Sequence, residues 1–304
     1  MAYFLLFTLS ETEGNITSCK IRMGIMTYNQ NIKRVVSITS GKGGVGKTTI
    51  VYNLASALNE MGIKVLILDA DLALGNIDLF AGIRPLFTLR DVINGQKKLD
   101  EIVIDAGNGI KIIPTSSGDQ DMIFLNEEQK INLISEFDNF KNCFDILLID
   151  TDAGISSNVI YFATISQEIS VVITPDPASL HDALALINIL SNKYGEKSFN
   201  VIANCARNEK EGKQLFIDFA DMVDKKCNVS LNYLGTVAFD AKLIEAVQKQ
   251  KAVCEIFPDT VSSKEFKKMS KVLMDLPNKP FPKGNLQLLL RNSLEQSKQR
   301  FTKI

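Results

Sequence analysis

Short β-branched runs alternate with helical patterns along most of this chain, and this alternation limits the fold more than any other feature. From residue 33 onward the runs are RVVSIT, KVLILD, IKIIP, FDILLID, ISVVITP, FNVIAN and YLGTVA. Several are apolar throughout, which is typical of parallel strands covered on both faces. The helical pattern TTIVYNLASALNEMG ends in Gly62, and PASLHDALALINILSNKYG begins with Pro177 and ends in Gly195. These patterns predict an α/β fold with a single doubly wound, mostly parallel sheet and helices on both faces.

The alternating region defines the predicted domain, residues 33–278. The preceding extension, residues 1–32, opens with MAYFLLFTLS, which lacks the basic region and cleavage pattern of a signal peptide and is too short to span a bilayer. In the final segment, residues 279–304, leucines recur at helical spacing beside lysines and arginines. This segment is predicted to be an amphipathic tail that either packs on its own domain or lies on an anionic membrane surface.

A glycine-rich loop, SGKGGVGKTT, joins the first strand pattern to the first helix pattern. It contains the full G-x-x-x-x-G-K-[ST] motif, whose backbone N–H groups turn inward around phosphate in this strand, loop and helix context. Lys47 is expected to reach the outer phosphates, and the Thr48 hydroxyl is expected to bind Mg²⁺. The predicted nucleotide-binding residues of the loop are Gly41, Lys42, Gly43, Gly44, Val45, Gly46, Lys47, Thr48 and Thr49.

Carboxylates follow two of the apolar strand patterns. Asp69 and Asp71 close LILDAD, and Asp150 closes FDILLID. In an open α/β sheet ligands bind outside the carboxyl ends of the strands, so these side chains are expected beside the loop. Asp150 is suited to hold Mg²⁺ through water, and the N–H of Gly154 is placed to sense a γ-phosphate. The alternative for Asp69 and Asp150 is that they cap helices.

Lys42 indicates a narrower class of phosphate loop, because K-G-G-x-G-K-[ST] resembles the deviant Walker A loop of the MinD/ParA ATPases. In that family the early lysine reaches across a dimer interface to the partner's nucleotide. A second ammonium supplied by a neighbour stabilises the phosphates only when two subunits meet. The resemblance therefore implies an ATP-dependent homodimer with ATP and Mg²⁺ as cofactors.

The same resemblance assigns further roles at the site. It implies hydrolysis of ATP to ADP and phosphate, with Lys42, Lys47 and Asp71 as catalytic residues and Asp71 orienting the attacking water. It implies Mg²⁺ ligation by Thr48, Asp69 and Asp150. It also places Asn204 at the adenine edge, Arg207 nearby and Asp240 in the segment that closes over the base. A buried Asn that closes a strand hydrogen bond is the alternative for Asn204.

Asp152 departs from the family pattern, because relatives usually have Pro or Gly at this position. A negative charge near the phosphates is expected to slow hydrolysis or to change Mg²⁺ affinity, unless the side chain points to solvent.

Four segments resemble the FlhG family, also called FleN or YlxH, which are MinD-like ATPases governing flagellar number and placement. They are DLALGNIDLFAGIRPLFTLRDVINGQ, GIKIIPTSSG, DTDAGISSNVIYF and TPDPASLHDALALI, and the resemblance runs from about residue 33 to residue 275. It implies a cycle between an ADP-bound or nucleotide-free monomer and an ATP dimer at the membrane. It also implies an FlhF-like GTPase, a flagellar switch protein or a flagellar transcription activator as partner.

Two alternatives to the flagellar hypothesis stay open. One is a MinD-type division-site regulator, and the other is a non-hydrolysing ATP-binding regulator that sequesters a partner, against which Asp71 argues. Residues 1–32 contain no D-Q-A-x-x-L-R segment, which FlhG proteins typically use to activate FlhF, and this argues against GTPase activation.

Charge and cysteine usage bear on partners and compartment. The chain has 34 Lys and Arg against 35 Asp and Glu, so no basic excess favours nucleic acid as a partner. Its five cysteines form no C-x-x-C pair, which indicates a reducing compartment and disfavours the iron–sulfur carriers of this fold. We expect a cytoplasmic protein with ATP-dependent peripheral association with the inner face of the cell membrane.

Overall fold

The structure of the protein is a computed structural model that describes residues 34–71, 75, 77, 82–107, 109–115, 129, 132–133, 135–137 and 144–277. The predicted extension, residues 1–32, and the predicted tail, residues 279–304, lie outside the described residues.

Eight strands form one sheet within the described ranges. They are β1 (Arg34–Ser40), β2 (Val65–Ala70), β3 (Ile104–Asp105), β4 (Ile110–Ile113), β5 (Ile146–Ala153), β6 (Glu168–Ile173), β7 (Ser198–Ala206) and β8 (Ser230–Ala238). Their order across the sheet is β3-β4-β2-β5-β1-β6-β7-β8. Every neighbouring pair is parallel except β3 and β4. The predicted mostly parallel sheet is confirmed.

The helices of the described part are numbered in chain order. They are α1 (Lys47–Glu60), α2 (Leu89–Ile93), α3 (Leu99–Ile102), α4 (Ser157–Ile165), α5 (Pro177–Tyr194), α6 (Glu209–Asp224), α7 (Ala241–Gln248), α8 (Val253–Ile256) and α9 (Val261–Asp275). The two predicted glycine caps are present, since Gly62 and Gly195 adopt φ angles of 82° and 78° just after α1 and α5. Among the helices described, none has the length and apolar content needed to cross a bilayer.

Both faces of the sheet are covered, which explains why its strands are apolar throughout. Val36 and Ile38 of β1 belong to the buried cluster that includes α1 and α9, whereas Val35, which points to the opposite face, belongs to the cluster that includes α2 and α4. A third cluster joins β6 and β7 to α5 and α6, with Phe219 fully buried in it. The phosphate loop therefore leaves a central strand of a rigid, two-sided core.

Strand β3 was not predicted from the sequence. It consists of two residues and pairs in antiparallel fashion at the edge of the sheet, with Ile104 opposite Ile112. A pair this short has no alternation of apolar and polar residues that a sequence pattern could show.

A polar network, buried except for the half-exposed Asn232, joins four strands near their amino ends. Arg34 Nε donates to Glu168 Oε1 at 2.8 Å, and Glu168 Oε2 accepts from Asn200 Nδ2 at 3.3 Å. Asn200 Oδ1 in turn accepts from Asn232 Nδ2 at 3.2 Å. Arg34 and Glu168 are both buried, and their pairing with full hydrogen bonding is what makes two buried charges tolerable. This network lies at the amino ends of the parallel strands, whereas the phosphate loop lies at their carboxyl ends.

Candidate active site

The glycine-rich loop connects β1 to α1 at the carboxyl edge of the sheet. Gly44 and Gly46 have φ angles of 75° and 91°, in the left-handed region that glycine enters with little strain. Gly46 is the N-cap of α1 and provides no side-chain hydrogen bond to the first turn. The first N–H groups of α1 therefore have no side-chain cap, as in helices whose amino end receives an anion.

Close packing fixes the loop between β7 and α5. A Cβ on Gly41 would lie 2.1 Å from the backbone carbonyl carbon of Asp182 in α5. A Cβ on Gly46 would lie 2.5 Å from the Asn204 Nδ2 atom on β7. Gly41 therefore requires glycine because the backbone of α5 leaves no room for a side chain, whereas Gly46 requires it mainly because its φ angle is left-handed.

Lys47 lies among hydroxyl and carboxylate groups at the start of α1. Its Nζ donates to Ser40 Oγ at 3.0 Å, and Ser40 Oγ donates to the Lys42 carbonyl at 2.7 Å. Burial lowers the pKa of Lys47, while the charges of Asp150, Asp152 and Asp71 oppose that shift. The ammonium thus stands where it can exchange carboxylate neighbours for phosphate oxygens.

Asp150 ends the apolar part of β5 and is 3% exposed. Burial raises the pKa of its carboxyl group, and a hydrogen bond with Thr48 and the charge of Lys47 oppose this. Its Oδ1 atom has no hydrogen-bond partner within the part of the chain that is described. A buried carboxylate oxygen without a partner is costly, so this atom fits a cation bound beside Thr48.

Within the described residues, Thr48 and Asp150 are the groups best suited to bind Mg²⁺. Across the described ranges, no three His, Cys, Asp or Glu side chains are grouped closely enough to hold a metal ion by themselves. A hydroxyl and a carboxylate suit Mg²⁺ bound together with the phosphate oxygens of a nucleotide, which is how Mg²⁺ is usually held in such sites.

Asp69 lies next to Asp150 in the pairing of β2 with β5 and organises the loop that follows β2. Its Oδ1 accepts from the Asp71 N–H at 3.2 Å, and its Oδ2 accepts from the Ile77 N–H at 3.1 Å. Burial, followed by the charge of Asp150, raises the pKa of Asp69. The Thr115 hydroxyl donates to the Asp71 carbonyl at 3.2 Å. Asp71 is thereby held near Lys47, and the roles of Asp69 at the metal and of Asp71 at water stay predictions.

Lys42 forms an ion pair with Asp176 of the same chain. Asp176 is the N-cap of α5, and its Oδ1 accepts from the Ala178 N–H at 3.0 Å. The hydrogen bond from Lys42, together with that from Ala178, holds the pKa of Asp176 below its usual range. The sequence did not indicate Asp176, although its place just after β6, the strand beside β1, is a signal that could have found it.

Gly154 lies where β5 meets the phosphate loop. Its N–H donates to the Ser40 carbonyl at 2.8 Å, and its φ angle is 91°. Sensing of a γ-phosphate by this N–H, which stays a prediction, therefore requires the bond to Ser40 to open.

The residues predicted around the base lie at the carboxyl ends of β7 and β8. Asn204 Nδ2 donates to the Val45 carbonyl of the phosphate loop at 2.7 Å. Arg207 is exposed and pairs with Glu211. Asp240 caps α7 through the Lys242 N–H at 2.8 Å and accepts from Ser262 Oγ at 2.6 Å. Asn204 and Asp240 thus tie neighbouring segments together, and their contacts with adenine stay predictions.

The loop, the buried carboxylate and the sheet order define the class of protein. A family model for ParA, described as NUBPL iron-transfer P-loop NTPase, matches residues 31–274. The chain belongs to the ParA family of P-loop NTPases and is a P-loop ATPase, as its loop predicted.

Individual relatives show which members of the ParA family this chain is similar to. The antiactivator FleN of Pseudomonas aeruginosa is 38% identical over 262 residues, which cover 86% of this chain and 94% of FleN. The flagellum site-determining protein YlxH of Helicobacter pylori is 29% identical over 81% of this chain and 83% of its own length. Among solved structures, the septum site-determining protein MinD with Mg-ADP from Pyrococcus horikoshii has a TM-score of 0.64 and 26% identity over 81% of this chain and 97% of its own. The resemblance to FlhG and MinD proteins is confirmed.

Proposed function

We propose that this chain is a Mg²⁺-dependent ATP switch that regulates flagellar number or placement. The identity with FleN, an antiactivator, and with YlxH, a flagellum site-determining protein, supports the flagellar role. The ion pair between Lys42 and Asp176 carries the switch, because it gives Lys42 a definite partner within the single chain, and the nucleotide of a second chain can replace that partner.

In this proposal the phosphate loop and α1 bind the triphosphate. The inward N–H groups after Gly44 and Gly46 and the positive end of α1 receive the phosphates, and Lys47 neutralises the outer ones. Thr48 and Asp150 would hold Mg²⁺, which would supply charge stabilisation for phosphoryl transfer. Asp71, fixed by Asp69 and Thr115, orients the water.

Lys42 links the nucleotide state of the chain to its assembly into a dimer. When two ATP-bound chains meet, each Lys42 leaves Asp176 and pairs with the partner's phosphates, which carry more negative charge than one carboxylate. Hydrolysis and phosphate loss remove the γ-phosphate and part of that charge, so Lys42 returns to Asp176 and the dimer separates. The chain then cycles between an ADP-bound or nucleotide-free monomer and an ATP dimer.

The partner of the ATP dimer is a second protein of the flagellar system. The name of the relative FleN favours a flagellar transcription activator, whereas the name of YlxH favours a protein at the flagellar base, either an FlhF-like GTPase or the flagellar switch protein. We propose a cytoplasmic location with peripheral attachment through residues 279–304 in the ATP state.

Counting flagella tests the biological role. Deletion of the gene in its host is expected to change the number or position of flagella per cell, counted by electron microscopy, and the wild-type gene is expected to restore both. MinD relatives such as that of Thermotoga maritima, 32% identical over 222 residues, make division-site regulation the second candidate. Minicells with unchanged flagella in the deletion strain would assign the chain to division instead.

A further inference from the structure

Asp152 is an acidic residue near the end of β5 that the proposed function does not use. It lies two residues beyond Asp150, and its side chain is exposed, whereas that of Asp150 is buried. An exposed carboxylate is usually no more than a solvated group. The place of this one at the carboxyl end of a central strand, next to β1 and the phosphate loop, is what gives it significance.

An irregularity in the sheet sets the position of Asp152. Ile38 of β1 pairs with Asp150, whereas Ser40 pairs with Ala153, so β5 contains one residue more than β1 between these two pairs. A bulge of this kind interrupts the alternation of side chains and redirects them, and such bulges are frequent beside active sites. Asp152 lies in the bulge, where β5 meets the start of the phosphate loop.

Hydrogen bonds hold the bulge and the carboxylate in place. The buried Thr151 hydroxyl lies 3.2 Å from the Ile38 carbonyl oxygen and 3.0 Å from the Asp152 carbonyl oxygen, and it donates to this pair of acceptors. Asp152 Oδ1 accepts from the Ala153 N–H at 2.5 Å. The carboxylate is therefore fixed at the end of β5 rather than free to rotate into solvent.

Two ionisable groups of the site respond to the charge of Asp152. Burial lowers the pKa of Lys47, and the charge of Asp152, after that of Asp150, opposes this shift. Burial raises the pKa of Asp150, and the charges of Asp71 and Asp152 raise it further. Asp152 thus lies within electrostatic reach of the lysine and the carboxylate to which we assign phosphate and Mg²⁺.

The charge balance of the site follows from these groups. The carboxylates of Asp71, Asp150 and Asp152 act on one ammonium, that of Lys47. Carboxylates repel a nucleotide that carries no cation, whereas they attract the doubly charged cation of its Mg²⁺ complex. The Asp150 Oδ1 atom, which is buried and has no hydrogen-bond partner in the described part of the chain, already favours a cation here. The charge of Asp152 strengthens that preference.

We propose that Asp152 is a specificity-determining residue that makes the site select the Mg²⁺ complex of the nucleotide over the metal-free nucleotide. The proposal rests on the proposed function, because it takes the phosphates to lie at the loop and Mg²⁺ beside Asp150. By linkage, the factor by which Asp152 favours the complex is also the factor by which it tightens Mg²⁺ binding to the nucleotide-bound chain. Removal of this one charge from a partly solvated site is expected to change the preference roughly three- to tenfold.

Calorimetry on the full chain measures the preference as the ratio of the dissociation constants for ADP in EDTA and in excess Mg²⁺. ADP is suitable because it is not hydrolysed. Asp152→Asn keeps the shape of the side chain and an oxygen for the Ala153 N–H but removes the charge. It is expected to bind metal-free ADP more tightly and to lower the ratio roughly three- to tenfold. Asp152→Glu, which keeps the charge, is expected to keep the ratio close to that of the wild type.

Asp105→Asn is the matched control. Asp105 is also an exposed aspartate at the end of a strand, and its Oδ1 accepts from the Gly107 N–H at 2.8 Å. It lies on β3 at the edge of the sheet, three strands away from β5, so its neutralisation is expected to leave the ratio unchanged. Titration with Mg²⁺ in the presence of ADP gives a second measurement, in which Asp152→Asn is expected to require more Mg²⁺ than the wild type and the control.

Three results would overturn the proposal. The first is the same ratio of dissociation constants for Asp152→Asn and the wild type. The second is tighter binding of ADP by Asp152→Asn to the same degree with and without Mg²⁺, which would make Asp152 a source of repulsion without preference for the metal complex. Both leave the proposed ATP switch intact. The third, absence of ADP binding by the wild type in Mg²⁺, would overturn the proposed function and the metal preference together.

Discussion

Lys42 and Lys47 belong to one loop but occupy different surroundings. Lys47 is partly buried, donates to Ser40, and has its pKa lowered by burial, whereas Lys42 keeps 41% of its side chain exposed in its pair with Asp176. Enclosure suits a lysine that binds the chain's own nucleotide, and exposure suits one that must change partners. At the residue scale the two ammonium groups thus differ in how far solvent and other molecules can reach them.

Replacement of Lys42 separates nucleotide binding from assembly. Lys42→Ala is expected to abolish the ATP-dependent dimer and hydrolysis while the monomer still binds ATP, because Lys47 and the loop backbone remain. Sedimentation with ATP and Mg²⁺ measures the dimer, and Lys193→Ala, a lysine near the far end of α5, is the control. A Lys42→Ala protein that dimerises and hydrolyses ATP normally would refute the switch.

Asp71 is expected to act on turnover alone. Asp71→Ala removes the carboxylate predicted to orient water but leaves the phosphate loop intact, so hydrolysis is expected to fall roughly 100-fold or more with ATP binding retained. Phosphate release measures hydrolysis, and calorimetry measures ATP binding. Lys47→Ala is the contrasting variant, because it is expected to lose nucleotide. Wild-type hydrolysis by Asp71→Ala would remove this residue from the mechanism.

The sequence predicted the loop, the carboxylates and seven of the strands, because each leaves a local pattern. It could not show the partners of these groups. Whether Asn204 faces the loop, whether Asp240 joins two helices and whether Lys42 has an acid within reach depend on contacts between distant segments.

At the scale of elements, α5 contacts the phosphate loop at two points. Its first turn is capped by Asp176, and its backbone at Asp182 packs against Gly41. The same carboxylate that caps the helix also binds Lys42. A movement of Lys42 therefore changes the charge balance at the amino end of α5.

Asp176→Asn tests this connection with a residue that still caps a helix. Asparagine caps as well as aspartate does but carries no charge, so α5 is expected to remain intact while Lys42 is released. The ATP dimer is then expected to form at a several-fold lower protein concentration, measured by sedimentation at fixed ATP. Thermal unfolding of the monomer controls for the cap. Unchanged or weaker dimerisation in a protein of normal stability would show that the pair does not oppose assembly.

At the scale of the whole molecule, assembly and membrane attachment are expected to reinforce each other. The described chain ends at residue 277, after α9, and the predicted amphipathic tail follows. One short amphipathic helix binds a membrane weakly, but two tails held in one dimer act at high effective concentration. Nucleotide state would then control location without any new contact to lipid.

Vesicle sedimentation tests the tail. With ATP, the full chain is expected to pellet with anionic vesicles, to pellet less as salt rises, and to lose binding when truncated after Lys283. ADP and neutral vesicles are the controls, and both are expected to leave the protein in the supernatant. Equal pelleting of full-length and truncated protein would assign residues 284–304 to packing on the domain.

The buried network of Arg34, Glu168, Asn200 and Asn232 also influences how this chain can evolve. It fixes the alignment of four strands at their amino ends, away from the phosphate loop. The side-chain hydrogen bonds that do this join members of the network to each other. The loops at the carboxyl ends of the strands are distant from this network. Substitutions in those loops therefore change the stability of the protein independently of the network, and the network stays intact. Lineages can therefore exchange partner-binding loops freely while inheriting the same strand alignment, and diversity of partners among relatives is expected to exceed diversity of fold.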